Sequence, residues 1–215
     1  MGGLFITFEG IEGSGKSTQA RMLAEWLRAN GYDVVLTKEP GGTELGEYVR
    51  QLLLSLQHHR MSERCELMLF LADRAQHVSE LILPALHDGK VVICERFTDS
   101  TVAYQHYGLG LSLELIEELN NFVTHSLKPH ITFLLDIEPS EGLKRLQHIK
   151  SSLDRIEMRS LEFHKKVRTG YLEIAKREPE RFIVVNASLP PLELAKQIQE
   201  RVSDILNKLD LARKH

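Results

Sequence analysis

Apolar residues fall into short dense runs separated by longer amphipathic stretches. The runs at 4–9, 34–38, 91–95, 131–136 and 181–185 are nearly all apolar and rich in β-branched residues. Runs of that length without clean alternation suit strands covered on both faces. Between them, the pattern predicts helices over 16–29, 45–56, 63–87, 112–126, 139–149, 156–176 and 192–209. Asn30-Gly31 closes the first, and Ser112 with Glu114 opens the fourth. Strands alternating with helices predict an α/β fold, a parallel five-stranded sheet flanked by helices. A length of 215 residues suits one domain, 1–215, with at most a small mobile insert.

Composition narrows the classes. With 42% hydrophobic and 27% charged residues the chain is neither disordered nor fibrous. A net charge of −3 argues against a general nucleic-acid binder. Two cysteines, Cys65 and Cys94, exclude a disulfide scaffold and suit a reducing, cytoplasmic setting. No run approaches the roughly 18 apolar residues of a membrane span, and no cationic stretch precedes an apolar one at the N-terminus, so neither membrane nor secretion is expected. Charge is unevenly spread: residues 142–177 carry ten Lys or Arg against four acids. That segment is either a solvated pair of helices or a source of cations for a polyphosphate.

The sharpest local signal is Gly10-Ile11-Glu12-Gly13-Ser14-Gly15-Lys16-Ser17, followed by Thr18. It fits G-x-x-x-x-G-K-[ST] at every fixed position, after a strand and before a helix. Glycines let backbone N–H groups turn inward around phosphate oxygens, and the helix N-terminus adds positive potential. Lys16 offers a point charge, and the Ser17 hydroxyl a ligand for Mg²⁺. The motif binds a nucleoside triphosphate without saying what is done with it. A small-molecule kinase, a GTPase switch and a motor ATPase compete. Asn207-Lys208-Leu209-Asp210 mimics a guanine-reading motif. It falls in a segment whose apolar residues Leu194, Ile198, Val202, Ile205 and Leu209 form one helix face, where such a motif does not belong.

In open α/β sheets ligands bind at the carboxyl ends of the strands. Lys38 and Glu39 follow the second strand and point toward that crevice. Glu95 and Arg96 end the third, where an acid and an arginine are costly unless used or paired. Glu95 suits Mg²⁺, with Asp136 after the fourth strand the weaker candidate. Phe70 and Arg74, four apart on a helix, offer a flat ring and a planar donor to a nucleobase. Asp73 reads as a solvated neighbour.

These residues resemble thymidylate kinases. The blocks are 8–17, Lys38-Glu39-Pro40-Gly41-Gly42, Glu95-Arg96-Phe97 with Ala103-Tyr104-Gln105, and Leu153-Asp154-Arg155. They occur in the family's order and at its spacing. The resemblance implies ATP- and Mg²⁺-dependent phosphorylation of dTMP to dTDP, a step in nucleotide biosynthesis, by a homodimer. It implies that Phe70 stacks on thymine, Arg74 bonds its edge, Thr101 and Gln105 face it, and Tyr104 crowds a ribose 2′-hydroxyl. Arg96 then touches both phosphates and Glu12 the sugar 3′-hydroxyl. The acceptor is an ionised phosphate oxygen, so no catalytic Cys or His is called for. The phosphate loop carries no basic residue at Ile11, Glu12, Gly13 or Ser14. Members of that kind supply arginines from a lid, here 142–156, with Arg145 and Arg155 the candidates and Lys150 in support. Lys38 stands where the family usually has Arg, and Glu95 where it has Asp. Gln147, His148 and Ile149 replace a commonly arginine-dense stretch. The alternatives are a kinase for another nucleoside monophosphate or a deoxynucleoside, and a slow P-loop switch.

Overall fold

Five strands form one parallel sheet in the order β2-β3-β1-β4-β5. They are β1 (Leu4–Glu9), β2 (Val34–Lys38), β3 (Val91–Glu95), β4 (Ile131–Asp136) and β5 (Phe182–Asn186). This computed structural model describes residues 2–213, and side chains as far as Asn207. The side chains of Lys208, Leu209 and Asp210, part of the helix-face and guanine-motif readings, lie outside the described ones.

Every residue of β1 is buried, as a central strand covered on both faces requires. Its alternate side chains feed two helical layers. Leu4, Ile6 and Phe8 pack with Leu23 and Leu27 of α1 (Lys16–Ala29) and Ile198 of α9 (Pro191–Arg213). On the other face Phe5 meets Val78, Ile82 and Leu86, and Phe97 edge-on at 5.0 Å between ring centres. Parallel strands place all five carboxyl ends on one edge, where the chain turns from β1 into the phosphate loop and from β3 into Arg96.

Several helices depart from the periodicity. The expected helix over 63–87 is α3 (Glu63–His77), a wide five-residue turn (Val78–Ile82) and α4 (Leu83–His87). Pro84 has no N–H to donate, and the ladder widens ahead of it. The expected helix over 156–176 begins only at Leu161, as α8 (Leu161–Arg177). Asp154 Oδ1 accepts from the Ile156 and Glu157 N–H groups, both at 2.9 Å, and closes a local turn. Ser160 then caps α8 by accepting from Phe163 N at 3.2 Å. The remaining boundaries shift little, to α2 (Glu44–Leu54), α6 (Leu113–Thr124) and α7 (Pro139–Ile149), with β5 one residue later than expected. A helix absent from the periodicity follows β3: α5 (Thr98–Thr101) runs on as a wide-turn segment, Val102–Gly108. It carries Thr101, Tyr104 and Gln105 to the crevice.

Candidate active site

The loop between β1 and α1 turns at Gly10, Gly13 and Gly15, with φ of 137°, 70° and 89°. A side chain at Gly13 would strike the Gly142 carbonyl in α7. That close approach joins the loop to the lid helix. Lys16 Nζ folds back over the loop, donating to Gly10 O at 3.0 Å and Ile11 O at 2.7 Å. Burial, then Arg96, push the Lys16 ammonium down to about 7 against Glu12, Glu95 and Glu9. An anionic polyphosphate in the cradle would favour the charged ammonium. Ser17 donates its hydroxyl to Glu95 Oε2 at 2.6 Å. A hydroxyl and a carboxylate meeting beside the loop are the hard oxygen donors that Mg²⁺ takes. Asp136 is engaged instead by Arg168, Nε to Oδ1 at 2.7 Å and Nη2 to Oδ2 at 3.1 Å.

Arg96 occupies the left-handed region, φ 67°, which a non-glycine residue holds only under strain. Its backbone N–H donates to Phe8 O at 3.0 Å. Nη1 donates to Gly10 O at 3.1 Å and Nη2 to Glu12 Oε1 at 3.1 Å. The guanidinium lies 4.9 Å from the centre of the Tyr104 ring. Glu12 Oε1 also accepts from Tyr104 Oη at 2.5 Å, and Oε2 lies 3.1 Å from His164 Nδ1. Burial alone would raise the Glu12 carboxyl, but His164, Arg96 and Lys16 hold it well below the usual range. An acid and an arginine thus face one cavity in fixed ionic form.

That cavity, of about 480 Å³, opens beside the phosphate loop; Lys38, Glu39, Phe70, Arg74 and Gln105 are among its walls. Glu39 is almost fully buried, its oxygens on Arg74 Nε at 2.8 Å and His77 Nδ1 at 3.0 Å. Arg74 is 1% exposed. Nη1 donates to Thr101 Oγ1 at 2.6 Å and Asn120 Oδ1 at 2.8 Å, and Nη2 to Phe97 O at 2.9 Å. One Nη2 hydrogen is left for a ligand. Gln105 Nε2 donates to Glu66 Oε1 at 3.0 Å. Asp73, expected from the sequence to be a solvated neighbour, is not solvated. It is wholly buried, with Oδ1 accepting from Gly41 N at 2.8 Å. Burial, then the Glu39 charge, push it up to about 7.

The lid candidates separate. Lys150 and Asp154 line the cavity, and Lys150 Nζ pairs with Glu157 at 2.5 Å. Arg145 lies across the loop, donating to Ala187 O at 2.8 Å, in a second cleft of about 400 Å³ with Ser14, Gly15 and Thr18. Arg155 faces neither: its Nη2 lies 2.7 Å from Glu66 Oε2, an oxygen that Arg159 shares at 2.6 Å. Much of the basic segment is therefore paired within the protein. Periodicity did not mark Glu66, Asn120, His164 or Tyr171. Asn120, His164 and Tyr171 reach the site from distant elements, and Glu66 lies on α3 one turn before Phe70. Arg50, which donates to Pro40 O at 2.9 Å on the cavity wall, had a detectable signal: a cation on a helix after the glycine pair.

The family profile described as thymidylate kinase matches residues 8–198. A thymidylate kinase of Desulfovibrio desulfuricans is 47% identical over 211 residues, 95% of this chain and 97% of that protein. One of Desulfosudis oleivorans is 48% identical over 211 residues, 94% and 99% of the two chains. The crystal structure of thymidylate kinase from Ehrlichia chaffeensis superposes with a TM-score of 0.74 at 39% identity. It covers 96% of this chain and 99% of that one.

Proposed function

The chain belongs to the thymidylate kinase family and is an ATP-dependent kinase that phosphorylates dTMP to dTDP; we propose how its own residues divide that work. The observation that carries the reading is Arg96, anchored on the phosphate-loop carbonyl of Gly10 and on Glu12 at the edge of the acceptor cavity. ATP lies with its phosphates in the loop of residues 10–18, and its base lies toward the cleft that holds Thr18 and Arg145. dTMP enters the larger cavity, its thymine against Phe70, Thr101 and Gln105, its sugar against Tyr104 and Glu12. Lys38 and Arg96 meet its phosphate. Arg74 reads the base with its one remaining hydrogen and holds the wall with the rest.

In-line transfer between two phosphates needs alignment and charge neutralisation more than a base. Lys16 and Arg96 approach the transferred group from the loop and from β3. Ser17 and Glu95 would hold Mg²⁺, which supplies neutralisation of the triphosphate charge when bound. The lid at 142–156 closes over the loop and brings Arg145 and Arg155 in, Arg155 exchanging Glu66 for phosphate. Closure excludes water and protects ATP from hydrolysis.

The test is ADP release by the purified protein with ATP and Mg²⁺, and with dTMP, dUMP, thymidine ribonucleotide, dCMP, AMP or no acceptor. dTMP drives fast release, purines do not, and the ribonucleotide is disfavoured by Tyr104. Release indifferent to the acceptor would leave only a slow P-loop switch. In the same assay Arg145→Ala or Arg155→Ala lowers turnover about tenfold, roughly 1.4 kcal/mol of barrier. Unchanged rates in both would move the lid cation to Lys150.

We propose a homodimer in the reducing cytoplasm. Leu45, Tyr48 and Leu52 on one face of α2, with Met68 on α3, are large apolar side chains about half exposed, and burying such a patch stabilises association. Sedimentation at twice the 24.6 kDa chain mass tests it. Among the described residues both cysteines are free, and no helix is long and apolar enough to cross a membrane.

A further inference from the structure

Glu9, the last residue of β1, is fully buried, and no step above uses it. Its Oε1 accepts from Phe97 N at 2.7 Å. Its Oε2 lies 2.7 Å from Ser100 Oγ and 2.8 Å from Tyr171 Oη, and those two hydroxyl oxygens lie 2.7 Å apart. Three oxygens thus form a triangle with every edge at hydrogen-bond length. Each edge needs one proton. Ser100 and Tyr171 supply two. The third exists only when Glu9 is a neutral acid. With Glu9 ionised, both hydroxyls turn to Oε2, and lone pairs face each other across the Ser100–Tyr171 edge. Arg96 does not fill that gap. Its Nη1 donates to Ser100 Oγ at 3.2 Å and to Tyr171 Oη at 3.1 Å, as a donor added to the ring.

We propose that Glu9 is a positioning residue for Arg96, carrying the third proton of the Glu9–Ser100–Tyr171 ring so that the guanidinium rests on a neutral support and keeps its charge for the phosphates. This rests on the reading of Arg96 as the phosphate-facing cation. The titratable and charged groups facing Glu9 are Asp99 and Arg96 beyond β3, Cys94 in β3, Lys16 in α1 and Tyr171 in α8. Burial, then Asp99, push the Glu9 carboxyl up to about 7, against Ser100, Arg96 and Tyr171. When Glu9 ionises, its new charge draws the guanidinium down into the ring, away from the cavity. Turnover therefore falls on the alkaline side.

Glu9→Gln separates the cases. The amide is neutral at every pH, accepts from Phe97 N and donates toward Ser100 and Tyr171. The infrared spectrum at about pH 6 shows the carbonyl stretch of a protonated carboxyl that the variant lacks. Asp73, also pushed up to about 7, contributes to both proteins and cancels in the difference. The variant keeps kcat with dTMP within about threefold at pH 6, while the wild-type-to-variant ratio falls at least about threefold by pH 8. The substrate phosphates titrate in both and drop out of that ratio; losing the Glu9 charge lowers Lys16 further in the variant, which works against the expected fall.

Stability gives a readout apart from activity. A carboxyl raised on folding holds a proton that the unfolded chain has lost, so stability falls as pH rises from the ordinary carboxylate range to about 7. The variant lacks that part of the slope. Tyr171→Phe opens the ring from the other side and shifts the same infrared band, which keeps the test should Glu9→Gln fold poorly. An empty difference spectrum or parallel pH profiles would overturn the proposal with the Arg96 reading intact. Full activity of an Arg96 variant would remove that reading, and the positioning role with it.

Discussion

Arg96→Ala lowers kcat for dTMP phosphorylation about a thousandfold, the order expected when a preorganised cation on a transferred phosphoryl group is removed. The geometry explains the size. The guanidinium is tied to Gly10 O on one side and Glu12 Oε1 on the other, so it lies between the ATP loop and the acceptor cavity without needing to move. Holding a non-glycine residue at φ 67° costs about 1–3 kcal/mol, and the fold bears that cost where the side chain works. Arg96→Lys separates charge from shape. One ammonium cannot reach Gly10, Ser100, Tyr171 and Glu12 together, so kcat falls about tenfold or more even with the charge kept. Steady-state kinetics at saturating dTMP decide this. A kcat within tenfold of wild type for Arg96→Ala would reduce Arg96 to a structural tether.

What was legible in the sequence was local. Lys16, Ser17, Glu95 and Arg96 all lie within eight residues of a strand end. A dense apolar run followed by glycines or by a charge marks such an end without knowledge of the rest of the fold. The five strands were legible for the same reason. The partners that fix these groups were not. Glu66 meets Arg159 across 93 residues, and Glu9 meets Tyr171 across 162. No periodicity carries pairings at that range. The helix after β3 was hidden differently. Thr98–Thr101 is one turn, and Val102–Gly108 winds with a wider pitch, so its apolar residues do not repeat every 3.6 positions. Asp73 was misread because it lies on the wall beneath Gly41, where a backbone N–H gives it a buried partner. Its spacing carried no sign of that.

The buried half of the base site yields the second large effect. Arg74→Leu destabilises the protein by about 3–5 kcal/mol, because among the described residues it leaves the buried Glu39 carboxylate with His77 as its one remaining ion-pair partner. Thr101, Asn120 and the Phe97 carbonyl lose a donor at the same time. In a chain of this length each kcal/mol moves the midpoint by about 2–4 °C, so thermal unfolding shifts down by about 10 °C. The loss belongs to the charge left behind more than to the vanished arginine. Adding Glu39→Gln to Arg74→Leu therefore recovers part of it, and the pair is markedly non-additive. A midpoint shift under about 3 °C, with KM for dTMP raised tenfold or more, would instead make Arg74 chiefly a reader of the base. The four bonds it spends on the protein oppose that outcome: a guanidinium with one hydrogen free is built into the wall first and offered to thymine second.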